Sequence, residues 1–150
     1  MPSRGGVLPQ ADTLKKNILV IDDEKMFCLL LKKFLEKRGY NVKAIFSGTD
    51  VVDQLWEKKY SLVISDICMT ELNGIEVLQK IRIAYPSTPV IMMSGNASQV
   101  ALEQIKQFQA QKFIQKPFEL KALLSEVESI IGVPGDEPDT APAEAGGTPG

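Results

Sequence analysis

At 150 residues, 44% hydrophobic and 24% charged, the chain has the size and composition of one domain with its own core. Its formal charge of −2 is uneven. Residues 133–150 hold Asp136, Glu137, Asp139 and Glu144 with no Lys or Arg, leaving +2 on the remainder and no basic cluster to bind DNA. There is no histidine, which excludes Ser-His-Asp and Cys-His nucleophile systems, His-ligated zinc and a phosphohistidine on this chain.

Residues 1–16 mix Pro, Gly and polar residues without periodicity and are expected to form a loose arm. Asn17-Ile18-Leu19-Val20-Ile21 is a short branched apolar run, a buried strand, and Asp22-Asp23-Glu24 follows at once. Met26, Phe27, Leu30, Leu31, Phe34 and Leu35 then recur at helical spacing, and Gly39 is placed to stop that helix. Val42–Ile45 reads as a second strand, and Val51, Val52, Leu55 and Trp56 line a second helix. Leu62–Asp66 is a third strand that ends in a lone carboxylate. Asn73-Gly74 then leads into a helix marked by Ile75, Leu78 and Ile81, ending before Pro86. Pro89–Met93 is a fourth strand leading to Ser94, and Ala97, Val100, Ala101, Ile105 and Phe108 mark a fourth helix. Lys112–Gln115 is a short fifth strand, interrupted by Lys116-Pro117. Leu120, Leu123, Leu124, Val127, Ile130 and Ile131 form a final helix closed by Gly132. Residues 133–150 are too poor in apolar surface to order and are expected to be a disordered Pro/Gly/Ala-rich tail.

Five alternations of strand and helix imply a doubly wound parallel sheet with helices on both faces, over a domain spanning 17–132. No apolar run has the length of a bilayer span, and the N-terminus lacks a secretory h-region. The expectation is a cytoplasmic protein without membrane insertion. Cys28 and Cys68 read as reduced thiols.

In the doubly wound order 2-1-3-4-5 the first and third strands are neighbours, with the crevice opening at their carboxyl ends. That order gathers Asp22, Asp23 and Asp66, with Ser94 and Lys116 beside them. Three carboxylates so close require a cation, and an all-oxygen donor set favours Mg²⁺ or Mn²⁺. A cation with a lysine and a hydroxyl alongside is arranged to receive a phosphoryl group, which makes Asp66 a candidate nucleophile at phosphorus.

The pattern Asp22-Asp23, Asp66, Ser94 and Lys116-Pro117 resembles the receiver domain of bacterial two-component response regulators, over about residues 17–131. The resemblance implies the flavodoxin-like (βα)5 fold and carries the strand order with it. It implies that Asp66 is the phosphoacceptor, receiving phosphate from a sensor histidine kinase or histidine phosphotransfer protein. It further implies that Asp23 ligates Mg²⁺ directly, Asp22 acts largely through water, and the backbone carbonyl of Cys68 is the third protein ligand. Ser94 and Phe113 would be the switch pair, and Lys116 would bind phosphoryl oxygens across a peptide bond to Pro117 that is usually cis in the family. A downstream protein target would be met on the face formed by the fourth helix, fifth strand and fifth helix, with no direct DNA binding.

Thr70 stands where most members carry proline, so this loop is where the chain is expected to differ. With no output domain after the receiver, a stand-alone regulator is expected. The alternatives are a receiver-like module that binds partners without phosphorylation, or a Mg-dependent phosphatase with an aspartyl nucleophile. The phosphatase is poorly matched, because Cys68 occupies the position where that class has its general acid.

Overall fold

The computed structural model describes residues 16–69 and 73–134. Thr70 and, apart from Lys16, Val133 and Pro134, the expected arm and tail lie outside the described residues. Ten elements alternate along the chain: β1 (Asn17–Ile21), α1 (Lys25–Lys37), β2 (Asn41–Ile45), α2 (Val51–Glu57), β3 (Leu62–Asp66), α3 (Gly74–Ala84), β4 (Val90–Ser94), α4 (Gln99–Gln107), β5 (Lys112–Gln115) and α5 (Leu120–Ile131).

The five strands form one parallel sheet in the order β2-β1-β3-β4-β5, as expected. Apart from Asn17 at the start of β1 and the polar ends Ser65-Asp66 of β3 and Ser94 of β4, the three central strands are apolar because both of their faces are covered. Side chains alternate between two layers. Ile18, Val20, Ile64, Ile91 and Met93 pack against α1 and α5, while Leu19, Ile21, Val63, Val90 and Met92 pack against α2, α3 and α4.

Three apolar stripes sit differently from their sequence expectation. On α1 the buried residues are Cys28, Leu31 and Leu35, whereas Met26, Leu29 and Leu30 face outward, with Met26 82% exposed. Met26 and Leu30 each stand two positions, about 200° of helix rotation, from Cys28. The helix carries apolar residues on two sides, and a sheet covers only one. Trp56 on α2 and Val100 on α4 are outward for the same reason. Cys28 is a packing residue. Its Sγ–H faces the carbonyls of Val20 and Ile45, and burial, reinforced by the Asp22 carboxylate, pushes the thiol up to about 12.

Two joints fix the layers, one at each edge of the sheet. Asn73 caps α3 by accepting from the N–H groups of Ile75 (2.8 Å) and Glu76 (3.1 Å). Gly74 N–H donates to the Ile67 carbonyl at 2.7 Å. A Cβ on Gly74 would overlap the Asp66 carbonyl oxygen and approach Ile67 Cα to 2.7 Å, so glycine is required for the helix to start this close to the strand. At the other end of α3, the Arg82 guanidinium donates to the carbonyls of Thr88 (2.7 Å), Phe108 (2.9 Å) and Gln109 (2.9 Å) and to Gln111 Oε1 (3.3 Å). Gln111 Oε1 also accepts from Val90 N–H at 2.7 Å. This knot holds the turn before β5, including Gln109 at φ 60°.

Candidate functional site

The carboxyl ends of β1, β3, β4 and β5 deliver the polar residues. Asp22 and Asp23 follow β1, and Asp66 ends β3 beside Met93 of β4. Carboxylate oxygens of Asp22, Asp23 and Asp66 lie within 4.8 Å of one another. Asp22 is fully buried and Asp66 is 5% exposed, so their charges are poorly solvated. Asp22 Oδ1 accepts the Glu24 N–H at 2.9 Å, which turns the chain into α1.

Lys116 is brought in by the β4–β5 pairing, where its N–H donates to the Ser94 carbonyl at 2.8 Å. Its peptide bond to Pro117 is cis. The ammonium lies 2.9 Å from Asp22 Oδ2, 3.3 Å from Glu24 Oε1 and 3.5 Å from Asp66 Oδ2. It also sits 4.4 Å from the ring centroid of Phe27.

Burial and then the Asp22 carboxylate raise the Asp66 carboxyl to about 6. The Lys116 ammonium and the backbone N–H of Cys68 oppose that rise. Burial alone would lower the Lys116 ammonium, but Asp22, Asp66 and Glu24 outweigh it and the group is raised. The lysine therefore stays charged, while the aspartate beside it has an excess of negative neighbours. That imbalance suits a hard divalent cation, and the donors are oxygens throughout.

Ser94 is buried, and its Oγ accepts from Asn96 N–H at 3.1 Å and lies 3.8 Å from the exposed thiol of Cys68. Phe113 is half-buried on β5 opposite Met92 and packs into the α2–α4 layer. The structure thus brings Asp22, Asp23, Asp66 and Lys116 into one cluster, sets Ser94 and Cys68 at its edge, and leaves Phe113 in the adjoining layer. Sequence reading passed over Glu24 and Phe27 as partners of Lys116. The third acidic residue in Asp22-Asp23-Glu24 was a signal for the first, whereas nothing in the sequence pairs Phe27 with a lysine 89 positions later.

A parallel 2-1-3-4-5 sheet with an acidic cluster and a lysine at its carboxyl edge defines the receiver class of α/β protein. The response regulator receiver domain family matches residues 18–128, and the chain belongs to it. The transcriptional regulatory protein ZraR of Salmonella typhimurium is 34% identical over 118 residues, 78% of this chain and 26% of ZraR. The uncharacterized transcriptional regulatory protein YkoG of Bacillus subtilis is 32% identical over 117 residues, 78% of this chain and 51% of YkoG. The chain therefore spans between about a quarter and a half of these relatives.

Among solved structures, a CheY-like response regulator receiver domain protein from Methanospirillum hungatei superposes with a TM-score of 0.74 at 26% identity, covering 77% of this chain and 92% of that one. The chemotaxis protein CheY4 of Vibrio cholerae gives 0.73 at 23%, covering 77% and 98%, and shares the fold. Receiver domains are phosphoacceptor signalling domains rather than classical enzymes, are phosphorylated on an aspartate, and bind Mg²⁺ in an acidic pocket. They interact with histidine kinases or phosphotransfer proteins and with downstream targets. Among the described residues no helix is long and apolar enough to cross a membrane.

Proposed function

We propose that Asp66 is the phosphoacceptor of this receiver, taking a phosphoryl group from a phosphohistidine on a sensor histidine kinase or histidine phosphotransfer protein. The observation that carries the reading is the position of Asp66, buried between the Asp22–Asp23 pair and the Lys116 ammonium 3.5 Å away. An Asp66 oxygen attacks phosphorus, the phosphorus–nitrogen bond to the imidazole breaks, and the freed imidazole leaves with its electron pair and is protonated. Lys116 pairs with the phosphoryl oxygens, and the Ser94 hydroxyl donates to one of them. Asp22, Asp23, Asp66 and the Cys68 carbonyl would hold Mg²⁺, or Mn²⁺ with the same donor preference, which offsets charge on the transferring oxygens.

The acyl phosphate carries roughly −1.5 to −2 charges on its phosphoryl oxygens, where the free carboxylate carried at most −1. Ser94 turns toward them, Phe113 follows inward, and a protein target reads the change on the α4–β5–α5 face. The donor's histidine must reach an acceptor only 5% exposed, so its protein covers the rim. The outward residues Met26, Leu29 and Leu30 on the first turns of α1, just after Asp22-Asp23, supply an apolar contact for it. The folded unit in this reading is 17–132, and the free thiols of Cys28 and Cys68 support a reducing, cytoplasmic setting.

The test is incubation with acetyl phosphate and Mg²⁺, scored as hydroxylamine-labile label. Wild type is expected to label and Asp66→Ala to remain blank. Equal labelling of the two would remove Asp66 as the acceptor.

A further inference from the structure

We infer that Phe27 is a positioning residue for Lys116, holding the ammonium through the face of its ring; this rests on the reading of Lys116 as the lysine that meets the phosphoryl group. Lys116 Nζ lies 4.4 Å from the Phe27 centroid, well inside the range of a cation–π contact. The other two such contacts among the described residues, Lys25 over Phe46 at 5.5 Å and Arg38 over Phe34 at 5.3 Å, are longer and involve exposed cations. The Lys116 side chain is only 16% exposed, which leaves less water to compete with the ring. The ring is itself oriented by an edge-to-face contact with Phe118, at 5.9 Å between centroids and 74° between planes. Phe27 therefore presents a fixed face beneath the ammonium, from the helix that follows the acidic pair directly.

The remaining partners of Lys116, namely Asp22, Glu24 and Asp66, are all anions. Asp22 and Asp66 are also the groups that turn to a divalent cation, and Asp66 is the nucleophile. Every carboxylate that holds the lysine is thus a group the reaction needs elsewhere, or one that repels an incoming phosphoryl oxygen. The phenyl ring has neither defect. It offers no lone pair to a metal and carries no net charge, so it keeps the ammonium in place while the carboxylates are engaged. An aliphatic side chain at position 27 would fill the α1–α5 layer without providing that attraction.

The experiment replaces Phe27 in the full chain with mono-, di- and trifluorophenylalanine, which drains the ring face while nearly preserving its shape, and includes Phe27→Leu for comparison. The initial rate of labelling by acetyl phosphate with Mg²⁺ is expected to fall progressively, by about fivefold across the fluorinated series. A rate that is flat across the fluorinated series overturns the inference and reduces Phe27 to packing, whatever Phe27→Leu does.

A second readout needs no phosphodonor. Ring current from Phe27 displaces the Lys116 Hε resonances upfield in wild type, and this displacement is expected to vanish in Phe27→Leu and to persist in wild type saturated with Mg²⁺. Its loss on adding Mg²⁺ would show the lysine leaving the ring and overturn the inference independently of any labelling. A wild type that never labels, yet keeps the displacement with Mg²⁺, would refute Asp66 as acceptor while leaving the Phe27–Lys116 contact intact.

Discussion

Replacing Asp66 with Asn should make the metal-free protein more stable at neutral pH, with a magnitude set by the site's electrostatics. In the folded protein the Asp66 carboxyl titrates at about 6, against 3.8 for an ordinary aspartate, chiefly because burial and the Asp22 carboxylate both disfavour its ionised form. The folded state therefore holds a proton that the unfolded chain has already released, and stability falls as pH rises through the window between those two values. Below about pH 4 both states are protonated and the difference disappears; above about pH 6 the full cost is present. Two pK units correspond to about 3 kcal/mol. Asn mimics the neutral acid, so Asp66→Asn is expected to gain on the order of 2–3 kcal/mol over wild type at pH 7.5 and little at pH 4. Urea unfolding at both pH values, with EDTA present, measures this. Saturating Mg²⁺ should shrink the advantage, since a cation satisfies the carboxylate that Asn lacks. An Asp66→Asn protein no more stable than wild type at pH 7.5 without metal would refute the account of the site as an excess of buried negative charge.

Gly74→Ala is expected to destabilise the fold by on the order of 3 kcal/mol, because its Cβ meets the backbone of Asp66 and Ile67 rather than a yielding side chain. A change within 0.5 kcal/mol of wild type, about the range of an ordinary surface substitution, would show that α3 can back away from β3 freely. Leu30→Asp, which places a charge on the outward face of α1, should slow phosphotransfer from a cognate protein donor by about tenfold or more while leaving labelling by acetyl phosphate unchanged. Equal slowing with both donors would place the fault in the site rather than in docking. Arg82→Ala removes four hydrogen bonds from a half-buried guanidinium. It should cost about 2 kcal/mol and speed hydrogen exchange at Gln109–Gln111 before it affects β1, and uniform acceleration across the sheet would contradict a local role.

The strands and most helix positions were legible because each is a local pattern, such as the unbroken apolar runs of β1, β3 and β4 or the stripe of α5. The polar residues at strand ends were legible as candidates, but their convergence required the strand order, which the family resemblance carried. Which side of α1 faces the sheet could not be read locally, since Met26 and Leu30 are as apolar as Leu31 and Leu35, and only the docked sheet separates them. Phe27 read as one more core residue, because a π face under a cation depends on a contact made across the whole fold. Arg82 drew no notice for a similar reason: three of its four acceptors are main-chain carbonyls, which have no sequence signature.

That last feature bears on how a protein of this kind can acquire a new listener. Arg82 grips the turn ahead of β5 through the carbonyls of Phe108 and Gln109, while the side chains of Phe108 and Ala110 pack against the core. This hold does not depend on the exposed side chain at 109, provided that residue tolerates its left-handed conformation. Chemistry at this one exposed position, at the approach to the proposed α4–β5–α5 docking face, is thereby uncoupled from geometry. That position is free to be rewritten for another partner while the strand bearing Phe113, and the lysine at its end, stay in register with the acidic cluster.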